Sequence, residues 1–166
     1  MATNRLKAQF LRAYDELADP IFRYCYFRLF DRERARELMQ ETFLRTWQRL
    51  TLGEEIKELR AYLYRTAYHL IVDEAMKKKA LSLDALQDAG FQPSADEGKT
   101  HEHRIELALI ERYIDRLEPE ERDLILLRYV NGLPPKEVAK ILGVTPNVAS
   151  VRIHRALKKL KALLPV

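Results

Sequence analysis

A break in the helical pattern at residues 80–100 is the feature that most limits how this chain can fold. The segment reads ALSLDALQDAGFQPSADEGKT and carries one basic and four acidic residues. Its turn-forming residues are Gly90, Pro93, Ser94 and Gly98. Such a composition is typical of a flexible linker. The sequence therefore predicts two small domains, residues 1–79 and 101–166, joined by a linker at 80–100.

The rest of the chain has the composition and periodicity of helices. Only 5 Gly and 7 Pro occur in 166 residues, and the commonest residue types favour helices. Asp19-Pro20 and Asp31 resemble helix starts, because Asp is a good N-cap and Pro suits the first helical position. We expect helices near residues 4–18, 20–29, 32–50, 56–79, 102–117, 119–130, 135–142 and 146–164. The predicted fold class is all-α, with a helical bundle followed by a helix-turn-helix.

The sequence also argues against several protein classes. Its apolar runs are too short for a membrane span, and the start MATNRLKAQF lacks the apolar region of a signal peptide. The single cysteine, Cys25, excludes an internal disulfide and a CxxC metal site. We therefore expect a cytoplasmic protein that does not insert into a membrane.

The segment PPKEVAKILGVTPNVASVRIHRALKKL has the make-up of a helix-turn-helix. Ala139 is small where two helices would cross, and Gly143 falls where a tight turn needs a positive φ. Residues 138–166 carry six basic residues and no acidic one. On a helical wheel the inward face of the last helix comprises Ala149, Ile153, Ala156, Leu157, Leu160 and Leu164. The pattern predicts major-groove binding by the opposite face, with an amphipathic hairpin lacking a DNA role as the alternative.

The helix at 32–50 carries a second signal. Its predicted inward face is Ala35, Leu38, Met39, Thr42 and Thr46, with Phe43 beside it. The outward side chains are Glu37, Gln40, Leu44, Trp47 and Gln48. Exposed Leu and Trp among polar groups are typical of a protein interface. The alternative is that Trp47 packs against a neighbouring helix of its own domain.

The helix at 56–79 interleaves tyrosine and basic residues on one face, which suits unstacked bases and phosphates. That face comprises Tyr62, Arg65, Thr66, His69, Asp73 and Lys77, followed by Lys78 and Lys79. The alternative is an ordinary surface on which Asp73 pairs with His69 at i,i+4 spacing.

Three segments in order resemble a known family. They read DRERARELMQETFLRTWQ, LRAYLYRTAYHLIVDEAMKKK and LEPEERDLILLRYVNGLPPKEVAKILGVTPNVASVRIHRAL. Together they resemble the sigma-70 family of RNA polymerase sigma factors, and specifically its extracytoplasmic-function (ECF) group, which keeps only regions two and four. The resemblance covers nearly the whole chain.

The resemblance implies a sigma factor that binds core RNA polymerase and directs promoter recognition and transcription initiation, with region two in residues 1–79 and region four in residues 101–166. It places contacts to the clamp helices of the largest polymerase subunit at Glu37, Leu38, Gln40, Glu41, Phe43, Leu44 and Trp47. The loop 51–58 and the helix 59–79 would melt the −10 element and capture a flipped base. The implied −10 contacts are Tyr62, Arg65, Thr66, His69, Asp73, Lys77 and Lys78. The implied −35 duplex contacts are Thr145, Asn147, Val148, Ser150, Val151, Arg152, His154, Arg155 and Lys158.

Further partners follow from the same resemblance. The linker would thread towards the active cleft of the polymerase, the polymerase flap would be a further contact, and an anti-sigma factor is a partner that the resemblance allows. The chain departs from the family where it has Val148-Ala149-Ser150-Val151-Arg152 instead of Thr-Val-Lys-Ser-Arg. It also has Arg36 before Glu37, where the family favours acidic pairs, and His69 where Asn is usual. We expect these departures to change specificity.

Two alternatives remain on sequence grounds. A free-standing helix-turn-helix repressor would need a dimer to read two half-sites, and no dimerisation helix is evident. An α-helical enzyme would need a catalytic constellation, but no HExxH, P-loop or GxSxG motif occurs, and His101-Glu102-His103 has the wrong spacing for a helical zinc pair. We therefore predict no catalytic residue, no metal site and no cofactor.

Overall fold

The computed structural model describes residues 2–84 and 109–165. Within them every regular element is helical. The chain divides into two compact units, Met1–Gly90 and Phe91–Val166. The first contains α1 (Ala2–Leu29), α2 (Arg32–Thr51) and α3 (Leu59–Asp84). The second contains α4 (109–114), α5 (Pro119–Ile125), a π-helical segment (Leu126–Val130), α6 (Pro135–Leu142) and α7 (Pro146–Leu163).

The core of the first unit is built from one face of each of its three helices. Its buried apolar residues are Ala13, Ile21, Tyr24, Cys25, Phe27, Ala35, Leu38, Met39, Phe43, Leu50, Leu63, Tyr64, Ala67, Leu70 and Ile71. Thr42 and Thr46 are buried among them, and their hydroxyls donate to the carbonyls of Leu38 and Thr42 at 2.7 and 2.8 Å. Cys25 is a free thiol whose pKa burial raises to about 12. The predicted inward face of 32–50 is therefore confirmed.

The prediction of separate helices at 4–18 and 20–29 is wrong, because Pro20 lies inside the continuous helix α1. A proline in a helix interior removes one hydrogen bond, here to the carbonyl of Glu16, and costs roughly 3 kcal/mol. Ala13 on one side of Pro20 and Ile21 and Tyr24 on the other are all buried. The packing of this uninterrupted apolar face offsets the loss, since tertiary context outweighs local propensity.

The start of α2 matches the prediction for Asp31. The Asp31 carboxylate accepts a hydrogen bond of 3.0 Å from the backbone N–H of Arg34, as an N-cap does. Phe30 before it has a φ of 51°, a left-handed conformation that turns the chain sharply between α1 and α2. The two helices are thereby joined by only two residues.

The predicted helix 56–79 is shifted towards the C-terminus in the structure. It begins at Leu59 and continues to Asp84, so residues 80–84 of the predicted linker are helical. No Gly or Pro occurs between Leu59 and Asp84, so nothing in the backbone ends the helix at Lys79. Residues 85–100, His101, His103 and the first part of the predicted helix 102–117 lie outside the described residues.

The second unit has its own apolar core. The buried residues are Ile114, Leu117, Leu124, Ile125, Leu126, Leu127, Leu133, Val138, Ala139, Ile141, Ala149, Ile153 and Ala156. The predicted helix 119–130 changes at Leu126 into a wider turn, in which the Asn131 N–H donates to the Leu126 carbonyl at 2.9 Å. Gly143 has a φ of 70° and Thr145 caps α7 by accepting from Val148 N–H at 3.2 Å, as predicted.

The last helix ends one residue before its predicted limit. Leu164 follows α7 with extended backbone, ψ 140°, and its side chain is exposed. The prediction that Leu164 belongs to the buried face is therefore wrong, because the helical periodicity stops at Leu163. None of the helices in 2–84 or 109–165 is long and apolar enough to cross a membrane.

Candidate nucleic-acid and protein interfaces

The face of α7 that the sequence assigned to DNA is open to solvent. Ala149, Ile153 and Ala156 are buried against α5 and α6, which fixes the rotation of the helix. Every residue of the predicted −35 set is exposed: Thr145, Asn147, Val148, Ser150, Val151, Arg152, His154, Arg155 and Lys158. The structure therefore brings this whole set together on one surface.

The turn before α7 holds it against α6. Ala139 is buried at the crossing, and the Val144 N–H donates to its carbonyl at 3.0 Å. Gly143 adopts the left-handed conformation at the end of α6, which glycine takes without the steric cost of a Cβ. These contacts position α7 as the projecting second helix of a helix-turn-helix.

Two cations of α7 are already paired with acidic residues of α5. Arg152 Nη1 lies 2.6 Å from Glu120 Oε1, and Lys159 Nζ lies 3.0 Å from Glu121 Oε2. In contrast, Arg155 and Lys158 form no ion pair within residues 2–84 and 109–165. Sequence reasoning missed Glu120 and Glu121, because acids in the first turn of a helix are ordinarily explained by the helix dipole. Within the described residues, Arg155 and Lys158 are therefore the cations of the predicted −35 set without an ion pair.

The predicted polymerase-binding residues of α2 divide into surface and core. Glu37, Gln40 and Leu44 are exposed, and Glu41 and Trp47 are half-buried. Leu38 and Phe43 are buried, each 3% exposed, so these two side chains of the predicted set belong to the core of the unit. The reason is that α2 packs on both α1 and α3, which cover these two side chains.

Trp47 is part of an aromatic cluster between α1 and α2. Its ring centroid lies 4.9 Å from that of Phe10, and Phe43 lies 6.0 Å from Phe10 and 4.8 Å from Tyr14. The alternative that Trp47 packs against a neighbouring helix of its own domain is therefore confirmed. The exposed part of the half-buried indole remains at the surface of α2.

A groove of about 740 Å³, the α2–α3 groove, is lined by residues of α2 and α3. From the predicted polymerase set it is lined by Glu37, Leu38, Gln40, Glu41 and Leu44, and from the predicted −10 set by Asp73 and Lys77. The structure thus brings together residues that the sequence assigned to two different partners.

An ion pair joins the two walls of the α2–α3 groove. Arg34 Nε and Nη2 donate to the two carboxylate oxygens of Glu74 at 2.7 and 2.8 Å, and Arg34 also binds Glu37. The guanidinium holds the pKa of Glu74 below its usual range, and both carboxylates raise the pKa of Arg34. Arg34 and Glu74 are 40 positions apart and neither was predicted, because no local pattern reports a pair between helices.

The predicted −10 residues of α3 differ in exposure, and two of them, Asp73 and Lys77, also line the α2–α3 groove. Arg65, His69, Asp73, Lys77 and Lys78 are exposed, whereas Tyr62 and Thr66 are half-buried. The Thr66 hydroxyl donates to the Tyr62 carbonyl at 2.9 Å. The His69 ring lies beside that of Tyr68, at 5.4 Å.

The alternative reading of α3 rested on a pair between Asp73 and His69. Across residues 2–84 no ion pair joins these two side chains. Asp73 instead lies at the α2–α3 groove. The structure therefore lacks the Asp73–His69 pair that the alternative interpretation of this face, as an ordinary surface, included.

The loop before α3 is braced by α2. Arg49 Nη1 lies 2.5 Å from Glu54 Oε1, the Glu54 N–H donates to the Arg49 carbonyl at 3.2 Å, and Gly53 has a φ of 90°. Thr51, the first residue of the predicted loop 51–58, belongs to α2. A second groove of about 370 Å³ lies beside this loop, with Phe10, Ile56 and Lys57 among its lining residues. No group of three or more metal-ligating side chains occurs in the part of the chain that the structure describes.

Two family models match the chain. Residues 13–81 match the model described as Sigma-70 region 2, and residues 107–160 match the model described as Sigma-70, region 4. The first match contains α2 and most of α1 and α3, and with them the α2–α3 groove and the predicted −10 surface. The second contains the helix-turn-helix and most of α7.

Relatives of known name align along most of the chain. It is 28% identical over 160 residues to the ECF RNA polymerase sigma factor SigL of Mycobacterium tuberculosis, which covers 95% of this chain and 90% of the relative. It is 33% identical over 127 residues to the ferric citrate uptake sigma factor FecI of Escherichia coli, with 74% of this chain and 70% of the relative covered. The ECF RNA polymerase sigma factor BldN of Streptomyces coelicolor is 28% identical over 160 residues, or 94% of this chain and 60% of BldN.

A solved structure shares the fold. The sigma factor RpoE of Bartonella quintana, crystallised with the anti-sigma factor NepR, superposes with a TM-score of 0.71 over 93% of this chain and 96% of RpoE. Sequence identity in this superposition is 18%. The all-α fold with two helical units, predicted from the sequence, is therefore confirmed.

Proposed function

The chain belongs to the sigma-70 family of RNA polymerase sigma factors, in its extracytoplasmic-function group. On this basis we propose which of its surfaces contact the polymerase, the −10 strand and the −35 duplex. The protein binds core RNA polymerase and directs promoter recognition and transcription initiation. The repressor alternative is not favoured, because the relatives match both units rather than the helix-turn-helix alone.

The exposed face of α7 reads the −35 duplex in this proposal. The single observation that carries it is that every predicted −35 residue lies on one exposed face of a helix that carries five basic residues and no acidic one. A helix of this kind enters the major groove with its N-terminal residues at base edges. The free cations Arg155 and Lys158, farther along the helix, contact phosphates and fix the register.

The first unit engages the polymerase and the −10 strand. Exposed Glu37, Gln40 and Leu44 on α2, together with Trp47 at its edge, form the polymerase contact. Arg65, His69, Lys77 and Lys78 on α3 face the separated strand. Apolar and aromatic side chains at the centre of an interface supply most of its binding energy, whereas the cations of α3 supply the salt-dependent attraction to phosphates.

Promoter opening by this protein needs no catalytic residue in the proposal. Contacts made only with the separated strand lower the free energy of the open state, and the protein acts as a non-catalytic specificity subunit in the cytoplasm. A further partner is an anti-sigma factor, by analogy with the RpoE–NepR complex. Such a partner would compete with polymerase for the outer surface of α2 or α3.

The test of the polymerase surface compares two exposed leucines. Leu44 on α2 is 53% exposed and Leu11 on α1 is 50% exposed, so Leu44→Ala and Leu11→Ala remove similar apolar area. We expect Leu44→Ala to weaken binding to core RNA polymerase about tenfold, measured by fluorescence titration, because a truncated interface anchor costs more than about 1 kcal/mol. Leu11→Ala should bind like the wild type.

Circular dichroism of both variants establishes that they are folded. Equal binding by Leu44→Ala and Leu11→Ala would show that α2 does not form the polymerase contact through this residue. Absence of binding by the wild-type protein would instead contradict the function as a whole.

A further inference from the structure

Two valines project from the otherwise polar outer face of α7. Val148 is 37% exposed and Val151 is 43% exposed. They are three residues apart, so they are neighbours on the helix surface, with Cβ atoms roughly 5–6 Å from each other. Both lie in the first two turns of α7, close to the capped N-terminus at Thr145. Neither side chain contributes to the core that holds α7, which is formed by Ala149, Ile153 and Ala156.

The charge of the helix indicates what covers these valines. Residues 138–166 contain six basic residues and no acidic one, so the surface is complementary to a polyanion. A duplex presents one apolar group in its major groove, the 5-methyl group of thymine. Alanine, threonine and other apolar side chains recognise thymine through that methyl group.

Arg152, one of the cations beside the valines, is paired with a residue of another helix. Arg152 follows Val151 directly, and arginine commonly reads guanine by two hydrogen bonds to O6 and N7. Here its guanidinium is paired with Glu120 of α5 at 2.6 Å. The N-terminal part of the recognition face is therefore apolar at its centre, with Asn147 and Ser150 as its hydrogen-bonding neighbours.

We propose that Val148 and Val151 are specificity-determining residues that read the methyl groups of two neighbouring thymines in the −35 duplex. The inference rests on the proposed function of α7. Successive bases on one strand rise about 3.4 Å along the axis, so two side chains 5–6 Å apart on the helix surface can each reach one of two successive thymines. The duplex class that fits is one with T·A pairs, rather than G·C pairs, under the first two turns of α7.

The experiment first obtains the duplex and then removes single methyl groups from it. Polymerase holoenzyme, reconstituted with the full chain, selects bound sequences from a randomised duplex pool. Each thymine of the selected −35 motif is then replaced singly by deoxyuridine, which lacks only the 5-methyl group. Competition binding measures the loss for wild type, Val148→Ala, Val151→Ala and the control Val130→Ala.

Val130 is a matched control because it is a valine of 38% exposure that lies outside α7. Wild type and Val130→Ala should lose about fourfold in affinity for each of two neighbouring deoxyuridine substitutions, as expected for one buried methyl group. Val148→Ala should become insensitive at one of these positions and Val151→Ala at the other. The pairing of residue with position is a readout that a merely structural role would not produce.

The outcomes separate this inference from the function on which it rests. A −35 motif without neighbouring thymines, or losses that are the same in all four proteins, overturns the reading of methyl groups while promoter binding stands. In that case the valines are ordinary surface residues or contact another protein. Failure of the holoenzyme to select any upstream duplex overturns the proposed role of α7 as well.

Discussion

Glu120 of α5 holds Arg152 of α7 through an ion pair of 2.6 Å between Oε1 and Nη1. The pair spans 32 positions of sequence and joins two helices of the second unit. Both side chains are exposed, so a phosphate or a base edge can compete with the carboxylate for the guanidinium. The DNA contact that we propose for Arg152 therefore competes with this ion pair.

Glu120→Gln should raise the affinity of the protein for duplex DNA. Because exposed ion pairs are worth between 0 and about 1 kcal/mol, the expected gain is roughly two- to fivefold. The dependence of affinity on salt should also steepen, since Arg152 then releases counterions from phosphate. Fluorescence anisotropy with a labelled −35 duplex at several salt concentrations measures both effects.

The control for this change is Glu16→Gln, which removes the same charge from an exposed position on α1. An equal gain in Glu16→Gln would attribute the effect to net charge. A loss of affinity in Glu120→Gln would show that Glu120 orients Arg152 for binding instead of competing for it.

Loss of the Arg34–Glu74 pair should destabilise the first unit more than loss of a pair on one helix. Arg34→Gln removes a two-point contact between α2 and α3, for which we expect about 1 kcal/mol, since hydrogen bonds to charged groups are strong but Arg34 is over a third exposed. Arg45→Gln removes the i,i+4 pair with Glu41 and should cost less than about 0.5 kcal/mol. Urea unfolding followed by circular dichroism measures both values.

The exchanged double variant Arg34→Glu/Glu74→Arg provides the rescue. It should recover part of the lost free energy of unfolding, because the charges again attract across the groove. Equal losses of unfolding free energy in Arg34→Gln and Arg45→Gln, without recovery in the exchanged variant, would contradict this prediction. The pair between α2 and α3 would then stabilise the protein no more than the pair within α2.

The same pair predicts how stability depends on pH. The pKa of Glu74 is lowered in the folded protein, mainly by its hydrogen bonds with Arg34. A carboxyl group with a depressed folded pKa contributes stability above its unfolded pKa, and loses that contribution as the pH falls through the folded pKa. The free energy difference between wild type and Glu74→Gln should therefore be constant near neutral pH and shrink below about pH 4.3.

Urea titrations at a series of pH values follow this difference. Asp73→Asn, a change at the adjacent exposed carboxyl, serves as the control. A difference for Glu74→Gln that stays constant down to pH 2 would contradict the assignment of the stabilising charge to Glu74.

Gly143→Ala should weaken the helix-turn-helix through backbone strain alone. The glycine has a φ of 70°, and no atom lies within 4 Å of where a Cβ would be placed. Left-handed backbone costs an L-residue roughly 1–2 kcal/mol, so we expect a loss of that size in unfolding free energy. Gly143→Asn should lose less, because asparagine tolerates this conformation.

Thermal and urea unfolding of Gly143→Ala and Gly143→Asn test which of the two variants loses more stability. If Gly143→Asn were at least as destabilising as Gly143→Ala, space rather than φ would limit the position. That result would contradict the open surroundings of the turn.

Helical periodicity predicts most of the buried and exposed faces of single helices, with Leu164 after the end of α7 as an exception. The burial of Ala149, Ile153 and Ala156 follows from their spacing, and the exposure of Arg155 and Lys158 follows from the same rotation. Asp31, Gly143 and Thr145 were also predictable, because caps and left-handed turns depend on residues adjacent in sequence. These local rules located the −35 surface that we propose.

Contacts between helices were not predictable in this way. Nothing in the local sequence relates Arg34 to Glu74 or Glu120 to Arg152, since each pair forms only after the helices pack. The continuity of α1 through Pro20 is not predictable for the same reason, because the stabilisation that keeps α1 continuous comes from packing against α2 and α3. The α2–α3 groove is likewise a product of packing and has no linear motif.

The burial of Cys25 has a consequence for chemical signalling. The thiolate is the form of cysteine that oxidants and alkylating reagents attack, and a pKa of about 12 leaves almost none of it at neutral pH. Peroxide therefore finds no accessible Cys25 thiolate to modify in the folded first unit. An oxidant can reach this sulfur only after the three-helix core has opened. Modification of Cys25 therefore reports unfolding of the first unit rather than the redox state of the surroundings.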